Sequence, residues 1–107
     1  MAYSPSLIEK MWIKADPQQG VDHKMWRKDF AGAWIRKDQF GLHTEYGWGI
    51  DHIMPRSMGG GDEERNLQPI HWRNNLSKMD KYPEFRTIVS SNGNRNILKE
   101  QLWRATD

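Results

Sequence analysis

The 107-residue chain has no cysteine. Disulfides and thiolate zinc sites are therefore excluded, and order must come from packing and polar contacts. No apolar run approaches the roughly 20 residues that a membrane span requires, so no membrane partner is expected. Residues 1–10 lack a basic stretch followed by an apolar one. No secretory leader is expected there, and the cytoplasm is the expected location. Hydrophobic residues are few, at 36%, and mean hydropathy is −0.93. There is no internal repeat and no low-complexity tract.

Aromatic residues compensate for the sparse aliphatics. Six Trp, three Phe and three Tyr are present, and each can bury a large apolar area. The length suits one domain spanning residues 1–107. Charged residues make up 28% and carry both signs, which favours a folded chain over a disordered one. The net charge of +2 is only mildly basic. Lys24, Arg27, Lys28, Arg36 and Lys37 nevertheless cluster, and Arg73, Lys78, Lys81 and Arg86 form a second basic stretch. Solvated surface is the commoner fate of such clusters; phosphate contact is the alternative.

Residues 6–15 read as a helix capped by Ser6, with Leu7, Met11 and Lys14 at helical spacing and Asp16-Pro17 as its stop. Residues 23–30 are ambiguous, with a short helix as one reading. Residues 33–40 suit a strand anchored by Trp34 and Ile35. In residues 46–53 a strand would place Trp48, Ile50 and His52 on one face by parity. Residues 54–65, with Pro55 and three consecutive glycines, form a long loop, a length that inside a small domain usually serves function. Residues 66–71 are a short strand kept at an edge by Pro69. Residues 72–81 read as a helix with Trp72, Leu76 and Met79 in one apolar stripe and Pro83 beyond it. Asn92-Gly93 marks a turn, and residues 95–104 read as a final helix.

The chemistry is concentrated in Asp51-His52-Ile53-Met54-Pro55-Arg56-Ser57-Met58-Gly59-Gly60, then Asn66-Leu67-Gln68, then His71-x-x-x-Asn75-x-x-Lys78. His52 can serve as a general base near neutral pH. Asp51 is a hard oxygen ligand suited to Mg²⁺ or Mn²⁺, and Asn75 can offer an amide oxygen to the same ion. Asn75 lies on the flank of the expected stripe, about 60° from its centre at 100° per residue. Lys78, at i+3 from Asn75, is placed to contact a phosphate. Taken singly, each has a bland alternative: a turn for Asn66, a helix cap for Asn75, a solvated charge for Lys78. The joint order and spacing raise the chemical reading above these.

This pattern resembles the HNH endonucleases, a branch of the ββα-metal (His-Me finger) nucleases, and is similar to small zinc-less members from bacteria or phages. The resemblance covers residues 46–81. It implies an α+β fold whose core is a two-stranded antiparallel hairpin with a long loop, followed by a helix. N- and C-terminal helices are expected to flank that core. It implies a metal-dependent endonuclease acting on DNA, with RNA left open. His52 would be the base, Asn66 would hold the loop that orients it, and Asp51 and Asn75 would ligate one divalent ion, Mg²⁺ before Mn²⁺ or another. Arg56, Arg73 and Lys78 are the expected phosphate contacts. Many relatives carry cysteine pairs for a structural zinc; here the matching positions include His71 and Asn74, so no structural zinc is expected. The bracing is assigned to Trp34, Trp48 and Trp72, and His71 to a structural or phosphate-contacting role. A non-catalytic nucleic-acid-binding module, or a nuclease component of a larger partner-dependent system, is the alternative.

Overall fold

A computed structural model describes residues 3–105. It is α+β, with two helices and three antiparallel strand pairs among those residues. Helix α1, Pro5–Lys14, starts earlier than expected. Its cap is Ser4, whose side chain accepts from the Leu7 N–H at 3.1 Å, and Pro5 occupies the first helical turn, where a missing N–H costs nothing. The ambiguous stretch resolves as strand β1, Trp26–Lys28, paired with β2, Trp34–Arg36.

Strand β3, Trp48–His52, pairs with β4, Leu67–His71, in a register that sets Asp51 opposite Gln68 and His52 opposite Leu67. Pro69 sits opposite Ile50 without disrupting the pair. Helix α2, Trp72–Lys78, follows β4 directly. One side of β3–β4 takes part in a core of Met11, Trp12, Ala15, Ile35, Trp48, Ile50 and Leu67, with Trp12 and Trp48 ring centroids 5.4 Å apart. The tryptophan brace is thus Trp12 with Trp48. Trp34 is buried elsewhere, its Nε1 donating to the Gly93 carbonyl, and Trp72 is half-buried and stacks on His43.

Two expectations about the C-terminal half are corrected. Residues 95–104 are not a helix: β5, Glu84–Asn92, and β6, Arg95–Arg104, form a hairpin that turns at Gly93, with φ 63°. Asn92-Gly93 is the turn that joins these strands. The apolar stripe of α2 also faces the wrong way. Leu76 and Met79 are 61% and 64% exposed, whereas Asn74 and Lys78, one turn apart, are buried. The helix ends at Lys78, well before Pro83, where Met79 takes a positive φ of 53°.

The buried face of α2 is polar because polar partners meet it. Asn74 uses its whole amide: Nδ2 donates to Asp29 Oδ2 and to the Val89 carbonyl, and Oδ1 accepts from the N–H groups of Ile88 and Val89. Asp29 in turn accepts from the N–H groups of Ala31, Ala33 and His71. This hub ties the β1–β2 turn, β4, α2 and β5 together. Burial pushes the Asp29 carboxyl up from its ordinary value, against the pull of the His71 N–H, the Asn74 amide and the Ala33 N–H. His71 completes the hub. Its Nε2 contacts the Glu45 carbonyl at 2.8 Å, and Nδ1 accepts from the Arg73 N–H. That pairing defines a neutral imidazole with its proton on Nε2.

Candidate active site

A cleft of about 350 Å³ opens beside the end of β3, lined by Asp51, His52, Arg56 and Asn75 together with Ile50, Pro55, Ser57, Met79 and Asp80. Three elements supply the four polar side chains: β3, the loop after it, and α2. Asp51 and His52 are consecutive on β3, so one points to the α2 side and the other to the strand's opposite side. Arg56 comes from the loop, within a 3₁₀ turn at Arg56–Met58. Asn75 comes from α2, on the border of its buried face.

Asn66 stitches the loop between β3 and β4. Its Oδ1 accepts from the Met54 N–H at 2.9 Å, and its Nδ2 donates to the carbonyls of Met54 and Gly61 at 3.1 and 2.8 Å. One amide thereby joins both ends of the glycine-rich stretch. Glycine is required at position 60 because a Cβ there would collide with the Met54 carbonyl, and Gly59 carries φ 92°.

His52 is held by a residue that motif spacing does not reveal. Its Nε2 lies 2.7 Å from Asp62 Oδ1, and Asp62 is gripped by the Arg56 guanidinium at 2.7 and 2.8 Å. Arg56 Nε also lies 3.4 Å from His52 Nε2. A ring nitrogen that donates to a carboxylate cannot also accept, so the shorter Asp62 contact assigns the proton to Nε2. The lone pair is then on Nδ1, which has no hydrogen-bond partner among the described residues. The His52 contact and the Arg56 charge hold the exposed Asp62 carboxyl below its ordinary range.

Asp51 is buried. Its Oδ2 accepts from Gln68 Nε2 at 3.0 Å, the direct cross-strand neighbour. Lys78 Nζ lies 3.3 Å from both carboxylate oxygens and donates to the His52 carbonyl at 3.0 Å. Burial raises the Asp51 carboxyl from its ordinary value, opposed by the Gln68 hydrogen bond and the Lys78 charge.

The expected site residues therefore divide. Asp51, His52, Arg56 and Asn75 share one cleft, and Asn66 stands behind it. Lys78, expected outside against a phosphate, is 0% exposed and sits beneath Asp51. Arg73 is exposed but faces a different cleft, lined by His43, His71, Trp72 and Leu98, with its guanidinium over the Trp72 ring. In the first basic cluster, Arg27 donates to the backbone carbonyls of Ile13, Ala15 and His23, Lys37 pairs with Glu9, and Arg36 with Asp38.

No group of three or more His, Cys, Asp or Glu side chains poised for a metal occurs among the described residues. A lightly held, hydrated ion has a smaller requirement, and the donors present meet it. The Asn75 amide has no hydrogen-bond partner among the described residues, it lines the same cleft as Asp51, and both offer hard oxygen. Asp51 retains lone pairs beyond those used by Gln68 and Lys78.

No helix among the described residues is long and apolar enough to cross a membrane. No curated protein and no solved structure gives a match to the chain. Residues 37–81, from the turn after β2 to just past α2, match the family model described as HNH endonuclease. That segment contains every residue that lines the cleft.

Proposed function

We propose that the protein is a metal-dependent endonuclease that hydrolyses phosphodiester bonds of DNA at the Asp51–His52–Asn75 cleft, on a ββα-metal core formed by β3, β4 and α2. The observation that carries this reading is the meeting of a histidine with a free ring nitrogen, a carboxylate and an unpartnered amide in one open cleft.

His52 acts as general base. Its Nε2–H is held by Asp62, so Nδ1 takes the proton from a water that attacks the phosphorus. The new P–O bond forms as the bond to the 3′ oxygen breaks and that oxygen takes a proton from solvent water, which leaves a 5′ phosphate and a 3′ hydroxyl, the outcome that the family resemblance implies. Asp51 and Asn75 would hold the divalent ion, Mg²⁺ being the best fit to a two-oxygen protein contribution completed by water. Such an ion, when bound, neutralises charge on the phosphate and the leaving oxygen. Arg56, half-exposed at the rim, is the phosphate contact nearest the base. Asn66 positions the loop and acts through it.

The test is nicking of supercoiled plasmid. The wild-type protein should nick in Mg²⁺ and stop on addition of EDTA. His52→Ala should lower the rate at least ~100-fold, the smaller end of what a general base contributes, with an unchanged circular dichroism spectrum. Undiminished cleavage by the variant would remove His52 from the chemistry. Binding of DNA with no cleavage by the wild type would favour a non-catalytic module.

A further inference from the structure

Lys78 has no part in the mechanism above, yet it is the most unusual charge in the molecule. It is completely buried on a seven-residue helix. A lysine in that position must have its charge met, because an isolated ammonium in the interior is prohibitively costly. Here it is met on several sides. Nζ reaches both oxygens of Asp51 and the His52 carbonyl, and it lies 5.3 Å from the centroid of the Phe85 ring. Gln68 also donates to Asp51 Oδ2, and the carboxylate's remaining lone pairs face the cleft.

We infer that Lys78 is the resident counter-charge of Asp51: it keeps the cleft assembled in the metal-free protein and limits how tightly a divalent ion is held there. The first half follows from burial. Asp51 without Lys78 would be a buried carboxylate met only by the neutral Gln68 amide, which opposes folding. The second half follows from sign. A divalent cation bound by Asp51 shares that carboxylate with an ammonium already 3.3 Å from both of its oxygens, and like charges this close repel strongly in a poorly screened interior. The contact to the His52 carbonyl adds a positioning effect, since it fixes the last peptide of β3, from which His52 projects. Lys78 is thus a positioning residue that acts through Asp51.

The metal half rests on the proposed function; the counter-charge half does not. A thermal-unfolding cycle in EDTA tests the latter. Lys78→Met should lower Tm by ~15 °C or more, the scale expected when one member of a buried pair is removed from a domain of this size. Lys78→Met combined with Asp51→Asn should recover most of that loss, because no buried charge is left unpaired. A double variant as unstable as Lys78→Met would overturn the inference and make Lys78 a packing element under Phe85. Calorimetric titration with MgCl₂ tests the metal half. Lys78→Met should bind Mg²⁺ at least ~10-fold more tightly than wild type, and added Mg²⁺ should raise its Tm further than that of the wild type. Equal or weaker binding would overturn that half. If the wild type takes up no Mg²⁺, the proposed function fails, while the cycle in EDTA still decides the counter-charge.

Discussion

Asp29 and Asp51 are both buried carboxylates raised by desolvation, and both bond to α2's buried polar face, Asp29 to Asn74 and Asp51 to Lys78. Their surroundings differ in completeness. Asp29 accepts three backbone N–H groups and one amide, all neutral, and is 2% exposed. Asp51 accepts one amide and one ammonium and borders open space. The same contrast recurs one residue apart on α2. Asn74 spends every donor and acceptor within the hub, while the Asn75 amide spends none. Asp29 and Asn74 are saturated, whereas Asp51 and Asn75 keep spare valence toward the cleft. The hub also explains how the fold dispenses with thiolate zinc: His71 and Asn74 tie β4 and α2 to β5 and the β1–β2 turn through Asp29.

The neighbouring asparagines offer the sharpest way to break this comparison. Asn74→Ala would orphan the N–H groups of Ile88 and Val89 and one lobe of Asp29, at a cost of about 3 kcal/mol or more. Asn75→Ala should cost no more than about 0.5 kcal/mol, because no hydrogen bond is lost. Urea unfolding of both variants measures the difference. Equal losses would show that Asn75 is part of the scaffold, and the cleft would then lose its amide ligand.

A second prediction separates the hub from the cleft by pH. Burial holds the His71 imidazole below its ordinary value near 6.5, so the folded state favours the neutral ring. The sign follows: stability from this group is complete above the unfolded value and is lost as pH falls toward the lower folded value. Protonation would also remove the Nδ1 acceptor that caps α2. The urea midpoint should therefore drop between about pH 7.5 and about pH 5.5. His71→Gln, which can still accept and donate, should show a smaller drop. An identical pH dependence in the variant would mean that the loss arises elsewhere.

The motif stretch was legible as a place: Asp51, His52, Arg56 and Asn75 do share a cleft. Hydrophobic periodicity failed where the buried face is polar. In α2 it selected Trp72, Leu76 and Met79, since no periodicity rule anticipates that Asn74 and Lys78 will find Asp29 and Asp51 inside. In residues 95–104 a helix would offer Ile97, Leu98, Leu102 and Trp103 for burial, but Leu98 is 75% exposed and the segment pairs with β5 through an irregular register between Thr87 and Val89. That irregularity breaks the alternation by which a strand is recognised. Asp62 was missed because its partnership with His52 depends on how the glycines fold the loop back, which only the Asn66 bonds to Met54 and Gly61 determine.

The smallest expected effect lies at the cleft's edge. Met79 caps α2 with φ 53°, the only positive φ at a non-glycine position among the described residues, and it lines the cleft beside Asn75. A side chain in that conformation costs of order 1 kcal/mol. Glycine would relieve it, and the position lies just past the helix end, where glycine is favoured. Met79→Gly should therefore raise Tm by about 4 °C. If the cleft is the chemical region, that gain should come with slower plasmid nicking, because Met79 contributes to the wall against which the substrate must seat. A gain in Tm with unchanged nicking would place the strain in the helix stop alone. A fall in Tm would show that the methionine side chain stabilises the fold by more than its backbone costs.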